Sequence, residues 1–326
     1  MQNRCSNKEC TAPKGLCANH GTLEYDSCSN WKQTNNQSST DNKKKTISKS
    51  KTLSWSGLEL HPENLVIVSH RGEPSIIGII GAANAGKTSY LGMLYTLLYN
   101  GKRFKNWNFV GSYTLVGWEK LAMYLRLKSD GTVDFPEPTP SNPDFYSLLH
   151  LALRKENHFY DLIFADSSGE VFTQWSTNVN DSNVKNARWI YENSVAFIFF
   201  IDCEALIKKR GREKQRIAQL AAQVAANLNG RPITIVWSKS DLIDNIRENI
   251  KQAVEKSLKE SFPDANIIEI SNYSKKDPDK LCHENNLQVT EYLLDKLNTP
   301  KKFTLTPEIG DTEDYFFKYT GSYGNQ

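Results

Sequence analysis

The chain has 326 residues, 39% hydrophobic and 24% charged, enough for a full-sized core in one large domain or two modest ones. Its longest purely apolar run, VAFIFFI at 195–201, falls far short of the ~20 residues a bilayer-crossing helix needs, which argues against a membrane span. The net charge of +3 divides into +5 over residues 1–56 and −2 over the remainder, so a basic arm precedes a near-neutral body.

The N-terminus, MQNRCSNKEC, is polar from its first residue and lacks a signal-peptide pattern, so a soluble cytoplasmic protein is expected. Residues 1–31 hold four of the six cysteines, in the spacing Cys5-x4-Cys10-x6-Cys17-x2-His20-x7-Cys28. In a reducing compartment such a cluster points to metal rather than to disulfides. Cys17 and His20 can clamp one ion from a tight turn, and two further thiolates would complete a tetrahedral zinc site. There are five candidates for four places, which leaves one of Cys5 and Cys10 as a candidate spectator. So short a segment has little core, and Zn2+ would be its main source of folding energy, with Trp31 placed to pack on the site. Cys203 and Cys282 stand alone and read as small buried hydrophobes.

Residues 32–56 are mostly Lys, Ser, Thr, Asn and Gln, too poor in apolar groups to offset their ordering entropy, and read as a flexible basic linker. The basic arm suits nucleic acid, anionic lipid or an acidic protein as a partner, set against the plainer reading of a solvated linker.

From residue 57 to about 302 the pattern is that of one α/β domain. Apolar runs occur at 64–69, 75–80, 146–153, 160–166, 194–202, 232–239 and 266–271, and helices are expected at 87–99, 115–128, 204–229, 244–260 and 286–297. Ile217, Leu220, Ala221, Val224 and Leu228 form one apolar stripe at helical spacing. Near-continuous apolar strands alternating with amphipathic helices predict a mostly parallel sheet covered on both faces. The runs at 146–153 and 160–166 are separated only by RKENHF, too short for a crossover helix, so they should form an antiparallel hairpin. His150 and His158 flank it and need no role beyond packing and solvation. The aromatic tail at 303–326 either docks or frays.

Gly81-Ala82-Ala83-Asn84-Ala85-Gly86-Lys87-Thr88 fits G-x-x-x-x-G-K-[ST], follows an apolar strand and opens a helix, the context this phosphate-binding motif requires. Gly81 and Gly86 let the backbone curl round a β-phosphate, and the inward N–H groups of 83–88 and the helix dipole add positive potential. Lys87 reaches the β/γ oxygens and the Thr88 hydroxyl is a Mg2+ ligand, with Ser89 completing the set.

The run at 160–166 ends in Asp166-Ser-Ser-Gly169, a D-x-x-G pattern. Asp166 can hold the water shell of Mg2+ and the Gly169 N–H can meet a γ-phosphate, which makes the following loop sensitive to that phosphate. Next comes Ser238-Lys239-Ser240-Asp241. Asp241 can accept two hydrogen bonds from guanine N1–H and N2–H2, a pairing adenine cannot supply, and the Lys239 stem can cover the base plane. Ser238 stands where a K-x-D motif usually has Asn or Thr. At Ser271-Asn272 a loop would bring a backbone N–H to guanine O6. All four elements fall at strand carboxyl ends, where open α/β sheets bind ligands.

With these motifs in this order, residues 74–300 resemble the translation-factor-like class of P-loop GTPases, with the Ras-like fold. AGKTSYLGMLY, ADSSGEVF and the Cys-rich leader together look like bacterial double-GTPase-type proteins. That likeness implies a zinc-binding head before the GTPase domain, GTP and GDP as ligands, and protein partners in a multi-component conflict or antiviral defence system.

A GTPase of this kind needs a threonine that closes on Mg2+ and the γ-phosphate. Thr139 and Thr132, in the proline-rich loop before the hairpin, are the candidates. Glu170 stands where such proteins usually carry the Gln that orients the attacking water. A carboxylate can orient water but repels the γ-phosphate, so unaided hydrolysis should be slow, with a partner or self-association supplying an Arg. The expectation is therefore a GTP-hydrolysing switch. Its alternatives are a nucleotide-gated interaction module with little turnover and a P-loop ATPase.

Overall fold

The structure is a computed structural model that describes residues 5, 7–11, 14, 16–18, 21, 28–31, 57–126, 128–129, 134, 136–273 and 277–299. The chain divides into two compact units, Met1–Thr52 and Leu53–Gln326. The sequence-predicted linker at 32–56, the tail at 303–326, His20 and Thr132 all lie outside the described residues.

In the first unit, Cys10, Cys17 and Cys28 are buried and pack with Cys5 and Trp31. Tight turns shape it: the Cys10 N–H donates to the Asn7 carbonyl at 3.2 Å, and Gly21 N–H to the Cys17 carbonyl at 2.7 Å. An antiparallel bridge joins Cys5 to Trp31.

The second unit is a seven-stranded sheet in the order β2-β3-β4-β1-β5-β6-β7. The strands are β1 (Ser75–Gly81), β2 (Asn108–Gly111), β3 (Ser147–Lys155), β4 (His158–Asp166), β5 (Ala196–Asp202), β6 (Ile233–Ser238) and β7 (Asn266–Ile270). β1 pairs in parallel with β4 and β5, and β5-β6 and β6-β7 are parallel, whereas β3 runs antiparallel to both its neighbours. The mostly parallel sheet with one antiparallel strand is thus the observed topology. Glu156, at φ 53°, turns the β3-β4 hairpin.

Helices α1 (Lys87–Tyr99), α2 (Leu115–Met123) and α8 (Asn285–Leu297) cover one face. The other is covered by α3 (Gly169–Thr177), α4 (Lys185–Asn193), α5 (Cys203–Lys209), α6 (Gly211–Ala225) and α7 (Glu248–Ser261). The strand pleat divides the core. Ile163 and Ala165 of β4 face the α3–α7 side, and Leu162 and Phe164 face the α1 side. Ile217, Leu220, Ala221 and Val224 of α6 are buried as the stripe predicts, each large apolar side chain contributing about 1.5–3 kcal/mol.

Six elements depart from the sequence reading. The apolar run at 64–69 forms not a strand but 3-10 turns (Pro62–Ile67 and Ser69–Arg71): Pro62 opens the first turn, and only Val68 of the run is buried. The helix expected over 204–229 is two, broken at Arg210 with φ 48° and ψ −118°. The helix expected at 115–128 ends at Met123. β2, α3 and α4 were not anticipated. The last two are nine residues each and apolar at only a few positions, too short for their periodicity to stand out. β2 is an edge strand of four residues with Phe109 and Val110 exposed and its register shifted between Phe109 and Gly111.

His150 is buried in β3. Its Nδ1 accepts the Tyr113 N–H at 3.0 Å, and its Nε2 lies 2.9 Å from Asp161 Oδ1, which also receives Arg71. Every polar atom of the ring is satisfied, in keeping with a packing role.

Candidate nucleotide-binding site

The carboxyl ends of β1, β4, β5, β6 and β7 open into one cleft of about 640 Å3. It is lined by Ala83–Ser89, by Pro136–Thr139 and Ser141, by Ser168–Glu170, and by Ser238, Lys239, Asp241 and Ile270–Tyr273. Four sequence motifs far apart in the chain meet there because each ends a strand of the same sheet.

At one end is the loop between β1 and α1. Asn84 (φ 62°) and Gly86 (φ 84°) take left-handed backbone angles that curl the chain, a conformation open to Gly at no steric cost. Gly81 is confined by β5, since a Cβ there would stand 2.8 Å from Phe200 Cβ. Lys87 is buried, and its ammonium donates to the carbonyls of Gly81 (3.3 Å) and Ala82 (3.2 Å). Burial pushes its pKa down, and the Asp166 charge works against that.

Thr88, in the first turn of α1, donates to Asp166 Oδ2 at 2.8 Å, and its hydroxyl lies 3.2 Å from that of Thr139. The structure brings these three oxygen donors together. The second Asp166 oxygen, Oδ1, is buried with no hydrogen-bond partner among the described residues. Burial pushes the Asp166 carboxyl above its usual range, with Lys87 and Thr88 pulling the other way. A buried, partly unsatisfied carboxylate beside two hydroxyls is the hard-oxygen set that suits Mg2+.

Gly169 opens α3 directly against the phosphate loop, where a Cβ would lie 2.1 Å from Ala82 C and Ala83 N. Ser168 caps α3 by accepting the Glu170 N–H. The exposed Glu170 carboxylate accepts a 2.7 Å hydrogen bond from Ser141, whose hydroxyl also lies 3.0 Å from that of Ser168. The loop carrying Thr139 and the D-x-x-G turn therefore touch at two places.

At the other end, buried Ser238 donates to the Ile201 carbonyl at 3.0 Å and ties β6 to β5. Lys239 adopts a left-handed angle (φ 53°), and its ammonium pairs with Asp202 (2.8 Å) and Glu204 (2.9 Å). Desolvation opposes the Lys239 charge, but these two carboxylates win and hold its pKa above the ordinary value. Glu204 is pulled down to about 2 by hydrogen bonds to Lys208 and Lys239. Asp241 accepts a hydrogen bond from the Ser271 hydroxyl.

The Ser271 backbone N–H donates to the Leu281 carbonyl at 3.2 Å, while its hydroxyl is the group that meets Asp241. The Asn272 side-chain oxygen accepts from Asn286 at 3.0 Å. Three cleft residues escaped sequence reasoning. Ser141 and Glu204 belong to no motif. Tyr273, two residues past Ser271, is hydrogen-bonded with Ser89 and raised in pKa by burial. For Glu204 the only sequence signal is its place just after β5.

The cysteine cluster is described by its packing. Among the described residues no group of three or more His, Cys, Asp or Glu side chains is set in metal-binding geometry. The Asn7 backbone hydrogen bond lowers the pKa of the Cys5 thiol, but desolvation, with Cys10 and Cys28 beside it, outweighs that and holds it above its ordinary value.

A strand-loop-helix phosphate cradle at the head of an open α/β sheet, with an acidic strand end beside it, defines a P-loop nucleotide-binding protein. Residues 75–297 match the Double-GTPase 2 family, and the chain belongs to that family of P-loop GTPases. No curated protein matches the chain. Among solved structures it is similar to nucleolar GTP-binding protein 1 of Plasmodium falciparum, at 13% identity and TM-score 0.38, over 69% of this chain and 86% of that one. It is also similar to Roco2 of Methanosarcina barkeri bound to GDP, at 14% identity and TM-score 0.35, over 76% and 52%. A third is an Era variant of Aquifex aeolicus bound to GDP.AlF4-, at 17% identity and TM-score 0.38, over 69% and 57%. This chain thus spans little more than half of the Roco and Era chains. No helix among the described residues is long and apolar enough to cross a membrane.

Proposed function

We propose that the chain is a Mg2+-dependent GTP-binding switch that hydrolyses GTP slowly unaided. The observation that carries this reading is the meeting of Thr88, Asp166 and Thr139 at one end of a cleft whose other end holds Asp241. Thr88, Thr139 and Asp166 would hold Mg2+, which supplies charge neutralisation between the β- and γ-phosphates. Lys87 would give up its carbonyl partners for phosphate oxygens, Gly169 would offer its N–H to the γ-phosphate, and Asp241, oriented by Ser271, would read guanine. Glu170 would face the attacking water with a carboxylate already engaged by Ser141, which supports slow turnover. That same hydrogen bond favours the second reading, a nucleotide-gated interaction module in which bound GTP sets the loop surface for a partner.

Residues 1–31 are proposed as a zinc module, residues 32–56 as its linker and residues 57–302 as the GTPase domain. Four of Cys5, Cys10, Cys17, His20 and Cys28 would hold Zn2+, with Cys17 and His20 as the clamp and one of Cys5 and Cys10 as the spectator. We place the protein in the cytoplasm, in a multi-component bacterial conflict or defence system with protein partners or a second copy of itself, and with the basic arm open to nucleic acid. The test is one purified sample assayed for bound nucleotide, GTP and ATP competition, single-turnover GTP hydrolysis and zinc content. Equal binding of GTP and ATP would sink the guanine reading, and binding without any turnover would select the interaction module.

A further inference from the structure

Asn186, near the start of α4, is fully buried and touches neither the cleft nor the phosphate loop. Its side-chain amide donates to the carbonyls of Asn142 (3.2 Å) and Phe145 (3.0 Å) and to the Ser167 hydroxyl (3.0 Å). Its own oxygen accepts the Ala187 N–H at 2.9 Å, using one of the N–H groups a helix start leaves unpaired. Asn142 and Phe145 follow Thr139 in the cleft loop, and Ser167 sits between Asp166 and Ser168. One buried amide therefore joins three separate segments.

The neighbouring residues of α4 extend the grip. Lys185 pairs with Asp144 at 2.6 Å, and the Trp189 ring meets Tyr146 edge-on with centroids 5.5 Å apart. α4 in turn follows α3, which opens at Gly169 against the phosphate loop. Displacement of the D-x-x-G turn thus reaches the Thr139 loop by two routes: directly through Ser141, and through α4.

We propose that Asn186 is a positioning residue that couples the Thr139 loop to the D-x-x-G turn, so that both answer to the terminal phosphate of the nucleotide as one unit. This rests on the GTP-binding reading above. The residue type is demanding: an aspartate would set oxygen against three oxygens, and an alanine would leave buried carbonyls unpaired.

The test compares Asn186→Ala, Asn186→Asp and Ser167→Ala with the parent in the full chain, measuring Kd for GTP and for GDP with Mg2+, and the thermal midpoint. GDP affinity should stay within about twofold, because the base and β-phosphate contacts lie elsewhere. The GTP-over-GDP preference should fall roughly tenfold in both Asn186 variants and roughly threefold in Ser167→Ala, as expected for lost buried hydrogen bonds expressed as coupling. A merely structural asparagine would lower the midpoint and leave the ratio alone. If the Asn186 variants do not fold, Ser167→Ala decides by the same ratio. A parent without a GTP preference, or variants that keep it, overturns the coupling. A parent that binds neither nucleotide overturns the GTP reading itself, and the coupling with it.

Discussion

The Thr88 hydroxyl donates to the Asp166 carboxylate at 2.8 Å, joining the first turn of α1 to the end of β4 across 78 positions of sequence. This bond leaves the other carboxylate oxygen buried and unpartnered among the described residues. Burial raises the Asp166 pKa, so the folded protein holds this proton more tightly than the unfolded chain does. Stability therefore falls as pH rises from the ordinary carboxylate value through the raised folded value. Asp166→Asn should remove that slope and raise the melting temperature of the nucleotide-free protein at neutral pH by a few degrees. It should also cut the Mg2+-dependent gain in GTP affinity by roughly tenfold or more. Melting curves against pH and GTP titrations with and without Mg2+ check both effects, and a variant that keeps the Mg2+ gain contradicts the assignment.

Gly169→Ala tests the contact between the D-x-x-G turn and the phosphate loop. The new methyl group would meet backbone atoms of Ala82 and Ala83, which cannot swing aside as a side-chain end can. The expected cost is about 1–3 kcal/mol or more, together with weaker binding of GDP as well as GTP, because the phosphate loop itself must shift. Denaturant unfolding and nucleotide titration measure it. An alanine variant with parental stability and affinity would show that the loop moves freely.

Asp241→Asn replaces an acceptor with a mixed donor and acceptor. GTP affinity should fall by about tenfold or more, while xanthine nucleotide, which offers an oxygen where guanine has its amino group, should gain. Ser271→Ala should reproduce part of the GTP loss without the gain for xanthine, since it frees Asp241 without changing its chemistry. Competition binding with GTP and the xanthine nucleotide separates the two variants.

Glu204→Gln addresses the ion pair at Lys239. Hydrogen bonds to Lys208 and Lys239 hold the Glu204 pKa down to about 2. Its stabilisation is therefore present above the ordinary carboxylate pKa and is lost as pH falls toward the depressed value. The variant should melt below the parent at neutral pH, by a margin that shrinks with salt, and the two should converge in acid. A gap unchanged between neutral and acid pH would show that charge is not the cause.

Much of the site was legible because its chemistry is carried by short motifs at strand ends. The helix expected over 87–99 is α1 to the residue. The antiparallel hairpin could be read from two apolar runs separated by only six residues, five of them polar. What stayed hidden has physical causes. Ser141, Glu204 and Asn186 act through contacts between segments far apart in the chain, and no local pattern marks such a residue. Arg210 breaks the expected helix by its left-handed backbone angle, next to Gly211, a weak helix former. The apolar run at 64–69 matched a buried strand in composition, but opens with a proline turn and leaves most of its residues at the surface.

The edge strand β2 sets a limit on how this protein can misassociate. Its exposed Phe109 and Val110 would attract a second sheet, but the strand is only four residues long and its register shifts before Gly111. A neighbouring chain laid along that edge would find only a few aligned amide groups before the ladder lost step, too few to seed a growing fibre. A variant designed to straighten and lengthen β2 would lose this protection at that edge.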